Sequence, residues 1–206
     1  MTGREYLGWR NVSRETSERL AEFERLLRKW NPVINLVASS TLESFKQRHL
    51  VDSAQLYDLA GPAWTHWGDL GSGGGFPGMV IAILAAESRP GASVTLVESD
   101  QRKAVFLATV IRELGLNTKI VAERIETASP LGADIISARA LAPLAKLLGY
   151  AAIHLARNGA AFFPKGANYQ AELLQVEGKW LFSCEKIGSQ TDQDAVVLKI
   201  KGLSRV

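Results

Sequence analysis

Hydrophobic positions in the first third of the chain recur with a helical period. Leu20, Phe23, Leu26, Leu27 and Trp30 alternate with Arg and Glu, which predicts an amphipathic helix over residues 13–30, ended by Asn31-Pro32. A second helix is predicted over residues 40–59, because Ser40 and Glu43 match a capping box. Phe45, His49, Asp52, Ser53 and Leu56 fall on one face of it, so polar groups interrupt an apolar stripe.

From residue 64 the pattern changes to short apolar runs alternating with helical stretches. Strands are predicted at 65–70, 93–98, 119–122, 133–137, 160–164, 181–185 and 195–201, and helices at 78–87, 101–114, 141–155 and 169–175. Such alternation predicts an α/β doubly wound sheet of seven strands, mostly parallel, with helices on both faces. Only a short loop separates the last two strands, too short for a crossover helix, so they are expected to pair antiparallel at one edge. Residues 1–60 therefore read as an N-terminal helical extension and 61–206 as the sheet domain.

Composition narrows the class. With 47% hydrophobic and 22% charged residues the chain is an ordinary globular one. The charged N-terminus does not read as a leader, and the longest apolar run, 79–86, is too short for a bilayer, so a cytoplasmic protein without membrane attachment is expected. Cys184 is the sole cysteine, which excludes an internal disulfide, and it reads as a half-buried strand residue. His49, His66 and His154 lack ligand spacing, so no metal is expected. Net charge is +3, and residues 131–206 hold nine basic against six acidic side chains, which suits a polyanion as readily as a solvated surface.

The densest chemical signal is HWGDLGSGGGFPGMV, residues 66–80. It joins the first strand to the first sheet helix, where ligands bind in such folds. Two registers fit. Gly73, Gly75 and Gly78 satisfy G-x-G-x-x-G, with Glu98 at the end of the second strand as a ribose-binding acid. Asp69, Gly71, Gly73 and Gly75 instead satisfy D-x-G-x-G-x-G, the first motif of class I S-adenosylmethionine-dependent methyltransferases. A carboxylate at Asp69 would repel a pyrophosphate but suit a ligand carrying an ammonium and a sulfonium, which favours the methyl donor.

Taken together, Trp30-Asn31, Asn35-Leu36, the 48–53 segment RHLVDS, the 69–78 segment DLGSGGGFPG, Ser137-Ala138-Arg139-Ala140 and Lys165-Gly166 resemble the RsmG family, also called GidB. Its members are bacterial methyltransferases acting on N7 of a guanine in 16S ribosomal RNA. The resemblance implies a class I, Rossmann-like methyltransferase with S-adenosyl-L-methionine as cofactor, and 16S rRNA or the small ribosomal subunit as partner of a monomeric enzyme. It implies donor contacts at Gly71, Phe76, Ile125, Glu126 and Arg139, with Ile125 and Glu126 beside the adenine. Where the family commonly shows D-S-x-x-K-R after the second strand, this chain has Glu98-Ser99-Asp100-Gln101-Arg102-Lys103.

Guanine N7 carries a free lone pair at neutral pH, so no general base is expected, and Arg139 is the expected positioning residue. Arg48, Arg102, Lys103 and Lys165 are candidates for RNA phosphates, with Lys46 and Arg139 completing a positive rim. His49 and Asp52 read as a buried hydrogen-bonded pair docking the extension, or as lining of the RNA entrance. A methyltransferase for another RNA, a protein or a small molecule, and a non-catalytic nucleotide-binding module, are the alternatives.

Overall fold

The computed structural model describes residues 11–206; the stretch read for a leader therefore lies mostly outside the described residues. Helix α1, Arg14–Ile34, starts where predicted: the Ser13 hydroxyl accepts from the Thr16 N–H. It runs through Pro32 rather than stopping before it. Pro32 stands in the last turn, where the helix is already ending, and the Asn31 side-chain oxygen accepts from the N–H groups of Leu36 and Val37 just beyond.

The second predicted helix begins later than its capping box. Residues Ser39–Thr41 form a short 3-10 turn, and Lys46–Val51 a wide π-helical turn that continues into α2, Asp52–Ala60. Tertiary packing decides the start: Phe45 is buried edge-on against Phe76, with ring centroids 5.8 Å apart, and that contact outweighs the local cap.

The sheet then builds from β1 (His66–Leu70), α3 (Gly78–Ser88), β2 (Ser93–Val97), α4 (Gln101–Leu114), β3 (Thr118–Val121), β4 (Ala133–Ser137) and α5 (Leu144–His154). It is completed by β5 (Leu155–Lys165), α6 (Tyr169–Leu174), β6 (Trp180–Gly188) and β7 (Val196–Arg205). Strand order is β3-β2-β1-β4-β5-β7-β6. Strands β1 to β5 pair in parallel, and β7 runs antiparallel to both β5 and β6, giving the expected edge pair. Helix α5 starts three residues after its predicted position, because Pro143 holds an extended conformation ahead of it.

Alternation along the strands divides the apolar side chains between two clusters. Trp67, Ile135, Phe162 and Val197 join α1 to α4 on one face, while Leu70, Ile136, Phe163 and Leu198 join α5 on the other. Helix α3 is buried over Gly78 to Ala85, which accounts for its lack of a polar face. Among the described residues, no helix is long and apolar enough to cross a membrane.

Candidate functional site

Strand β1 delivers the chain to the centre of the sheet, and the glycine loop turns there beneath the end of β2. The N–H groups of Gly71 and Ser72 both donate to the Val97 carbonyl, at 2.8 and 3.1 Å. Gly71 and Gly73 take φ values of 67° and 54°, a region that disfavours any side chain. Their backbone lines a cleft of about 490 Å³ at the carboxyl ends of the parallel strands.

Asp69 does not face that cleft. Its carboxyl is fully buried under the loop, where Oδ1 accepts from the Ser137 hydroxyl at 2.7 Å and Oδ2 from the Gly78 N–H at 3.2 Å. The Ser137 oxygen in turn accepts from the Trp67 indole N–H at 2.8 Å. Burial pushes the Asp69 carboxyl up to about 6 despite these hydrogen bonds. Asp69 thus braces the loop on β4 and the start of α3. This corrects the expectation of direct attraction between its carboxylate and a cationic ligand. Gly75 is likewise buried outside the cleft, packed by Met79 and Phe23.

Glu98 follows β2 and faces the cleft. Its Oε2 accepts from the Gly73 N–H at 2.8 Å and its Oε1 from the Asp100 N–H at 2.7 Å, so the carboxylate is aimed by two backbone groups. Across the cleft, Ile125 is buried and Glu126 exposed. Helix α5 holds both: the Tyr150 hydroxyl donates to Glu126 Oε1 at 2.7 Å, and His154 Nε2 donates to the Ile125 carbonyl at 2.9 Å. The Tyr150 hydroxyl and the nearby Lys146 ammonium hold Glu126 below the usual carboxylate range.

Arg139, just past β4, stands between this cleft and a second of about 510 Å³. Its guanidinium donates to the Arg48 carbonyl (2.9 Å), Asp52 Oδ2 (3.0 Å) and His49 Nδ1 (3.0 Å), and lies 5.0 Å from the Phe76 ring centroid. His49 also stacks on Phe76 at 4.8 Å. Burial and the Arg139 and Arg48 charges push His49 down to about 4, so it is neutral near pH 7. That state suits its neighbours, with Nδ1 accepting from Arg139 and Nε2–H donating to Thr41 Oγ1 at 2.8 Å. His49 and Asp52 are thus joined through Arg139 rather than to each other.

The model of the GidB family, rRNA small subunit methyltransferase G, matches residues 16–194. The chain belongs to the GidB family. Ribosomal RNA small subunit methyltransferase G of Ruegeria sp. is 50% identical over 196 residues, 95% of each chain. The protein of the same name from Ruegeria pomeroyi is 52% identical over 196 residues, 95% of this chain and 96% of its own. The fold is shared with more distant solved structures. Cofactor-bound Rv0187 from MTB superposes with a TM-score of 0.62 at 13% identity over 90% of each chain. The 16S rRNA methylase RmtB gives 0.55 at 20% identity over 89% of this chain and 74% of its own.

Within this GidB chain the residues singled out from sequence divide by position. Gly71, Gly73, Phe76, Glu98, Ile125, Glu126 and Arg139 border the first cleft. Of the basic candidates, Lys103 borders the first cleft and Arg48 the second, while Arg102 is exposed on α4 beside Asp100. Lys165 also borders the second cleft. Its ammonium is buried and donates to Glu172 Oε2 at 2.7 Å and the Ala142 carbonyl at 3.0 Å, so in this arrangement it is committed within the fold. Leu36 and Val37 line both clefts and Thr191 the second, and sequence reasoning passed over all three. Asn35-Leu36 carried the family resemblance, and that was the signal available for the first pair.

Proposed function

We propose that the protein transfers a methyl group from S-adenosyl-L-methionine to N7 of a guanine in 16S rRNA. Membership of the GidB family supports the class of reaction. The observation that carries the donor site is the first cleft itself, in which the Gly71–Gly73 backbone and the doubly held Glu98 face each other. Its volume of about 490 Å³ lies within the range of small-molecule sites. Glu98 fits a ribose, because each of its oxygens keeps a lone pair for a hydroxyl after accepting one backbone N–H. The Gly71 turn would hold the methionine end, Phe76 would pack beside it, and Ile125 with Glu126 would flank the adenine.

When bound, the donor supplies an electrophilic methyl group on a sulfonium. The chain's own contribution is positional. Arg139 stands where the two clefts meet, so the second cleft is read as the acceptor side and Arg139 as the residue that orients the base or its phosphate. N7 needs no deprotonation, which accords with the neutral His49 having both ring nitrogens engaged. Arg48, Lys103 and the exposed Arg102 would meet RNA phosphates. Residues 1–60 are read as an N-terminal helical extension, whose Leu36 and Val37 line both clefts, 61–206 as the Rossmann-like methyltransferase domain, and the enzyme as a cytoplasmic monomer acting on rRNA or the small subunit.

Incubating the purified protein with donor and 16S rRNA from a strain lacking its own enzyme, followed by mass spectrometry, should show one added methyl on guanine N7. Methylation at another atom, or none on either naked RNA or subunits, would overturn this reading. Arg139→Ala should lower kcat about tenfold or more.

A further inference from the structure

Arg139 is a cation placed in a wall that, on the function proposed above, faces another cation. The methyl donor carries a sulfonium, and after transfer the positive charge resides on the N7-methylated base. An uncompensated guanidinium there would repel both. Among the described residues, Asp52 is the carboxylate that the structure sets in an ion pair with it, at 3.0 Å, with both side chains less than a fifth exposed.

Asp52 is itself held from the far side. Its Oδ1 accepts from the Thr191 hydroxyl at 3.0 Å and from the Gln55 amide at 3.0 Å, leaving Oδ2 for Arg139. The Gln55 side-chain oxygen accepts from the Gln190 N–H, so the β6–β7 loop and α2 fix the carboxylate together. On the other side of Arg139, the Thr41 hydroxyl donates to the Ala38 carbonyl and leaves its oxygen to accept from His49, which leaves His49 Nδ1 to accept from Arg139. The guanidinium is thus fixed by a neutral acceptor on one nitrogen and balanced by a charged one on the other.

We propose that Asp52 is a positioning residue that neutralises Arg139 at the junction of the two clefts, so that the wall offers oriented hydrogen-bond donors without net positive charge to a cationic methyl donor. This rests on the reading of the first cleft as the S-adenosylmethionine site. It separates charge from shape, because the donor and its product, S-adenosylhomocysteine, differ by a methyl group and by the sulfonium charge. Asp69 and Glu98 also border or underlie the cleft, but they are constant across the variants below and cancel in a ratio.

Calorimetric dissociation constants for S-adenosylmethionine and S-adenosylhomocysteine should be measured on the full chain for wild type, D52N, R139Q, D52N/R139Q and T191V. D52N should raise the ratio of the first constant to the second about fivefold at low salt, less at high salt. R139Q, which leaves Asp52 unbalanced, should move the ratio the other way, and the double variant should return it towards wild type. T191V keeps both charges and should leave the ratio in place while lowering kcat. A ratio unmoved by D52N and R139Q, or a double variant as displaced as D52N alone, would overturn the role of Asp52. If D52N does not fold, R139Q against T191V decides by the same criterion. A wild type that binds neither ligand would instead overturn the donor-site reading, and this role with it.

Discussion

At the scale of single residues, two buried titratable groups act on stability in opposite directions. The Asp69 carboxyl is held near 6, above its ordinary 3.8, so the folded chain keeps a proton that the unfolded chain releases. Its stabilising contribution is complete below about pH 4 and is lost as pH rises through about 6. Relative to D69N, wild type should lose on the order of 2–3 kcal/mol between pH 4 and 7, measured by urea unfolding. His49 is held near 4 against an ordinary 6.5, so its contribution is present above 6.5 and lost as pH falls through 4. Relative to H49Q, wild type should therefore weaken on acidification over that window; a difference independent of pH would refute the assignment. Gly78→Ala should destabilise by about 1–3 kcal/mol in the same assay, since a Cβ there would stand 2.4 Å from Leu96 Cδ2 and 2.6 Å from Asp69 Cβ. The importance of Asp69 was legible in the sequence, but its direction was not. What turns the carboxyl under the loop is Ser137, 68 positions away, and no local pattern encodes that meeting.

At the scale of elements, the turn after α1 connects stability to the clefts. Asn31 holds Leu36 and Val37 by their N–H groups, and the Leu36 backbone lies against Gly74 of the glycine loop. Asn31→Ala leaves two buried donors without an acceptor, which should cost about 2 kcal/mol or more. It should also weaken donor binding in calorimetry, because both freed residues line the first cleft. Retention of wild-type affinity with full loss of stability would show that the turn only supports the fold. The helical periods and the alternating strands were readable because each pattern is local. The start of the second helix was not, because Phe45 takes its place from Phe76, thirty-one residues on. The Lys165–Glu172 pair shows the same limit, since a lysine after a strand reads as solvated until α6 packs over it.

At the scale of the whole molecule, the N-terminal helices and the sheet share one hydrophobic cluster. Phe23 packs on Phe76 at 5.2 Å and on Phe106 at 6.5 Å, and the partners of Arg139 come from residues 48–52. Residues 61–206 produced alone should therefore aggregate or fail to bind the donor, as size-exclusion chromatography and calorimetry would show; a monomeric fragment with full affinity would refute this. The order of strands adds a consequence for synthesis. β7 lies between β5 and β6 in space but follows both in the chain, so β6 is made before the strand through which it joins the sheet. Without β7, the β5 edge carrying Phe162 and Phe163 is open to other chains, so a released chain truncated within residues 189–195 would expose that edge and be prone to aggregate.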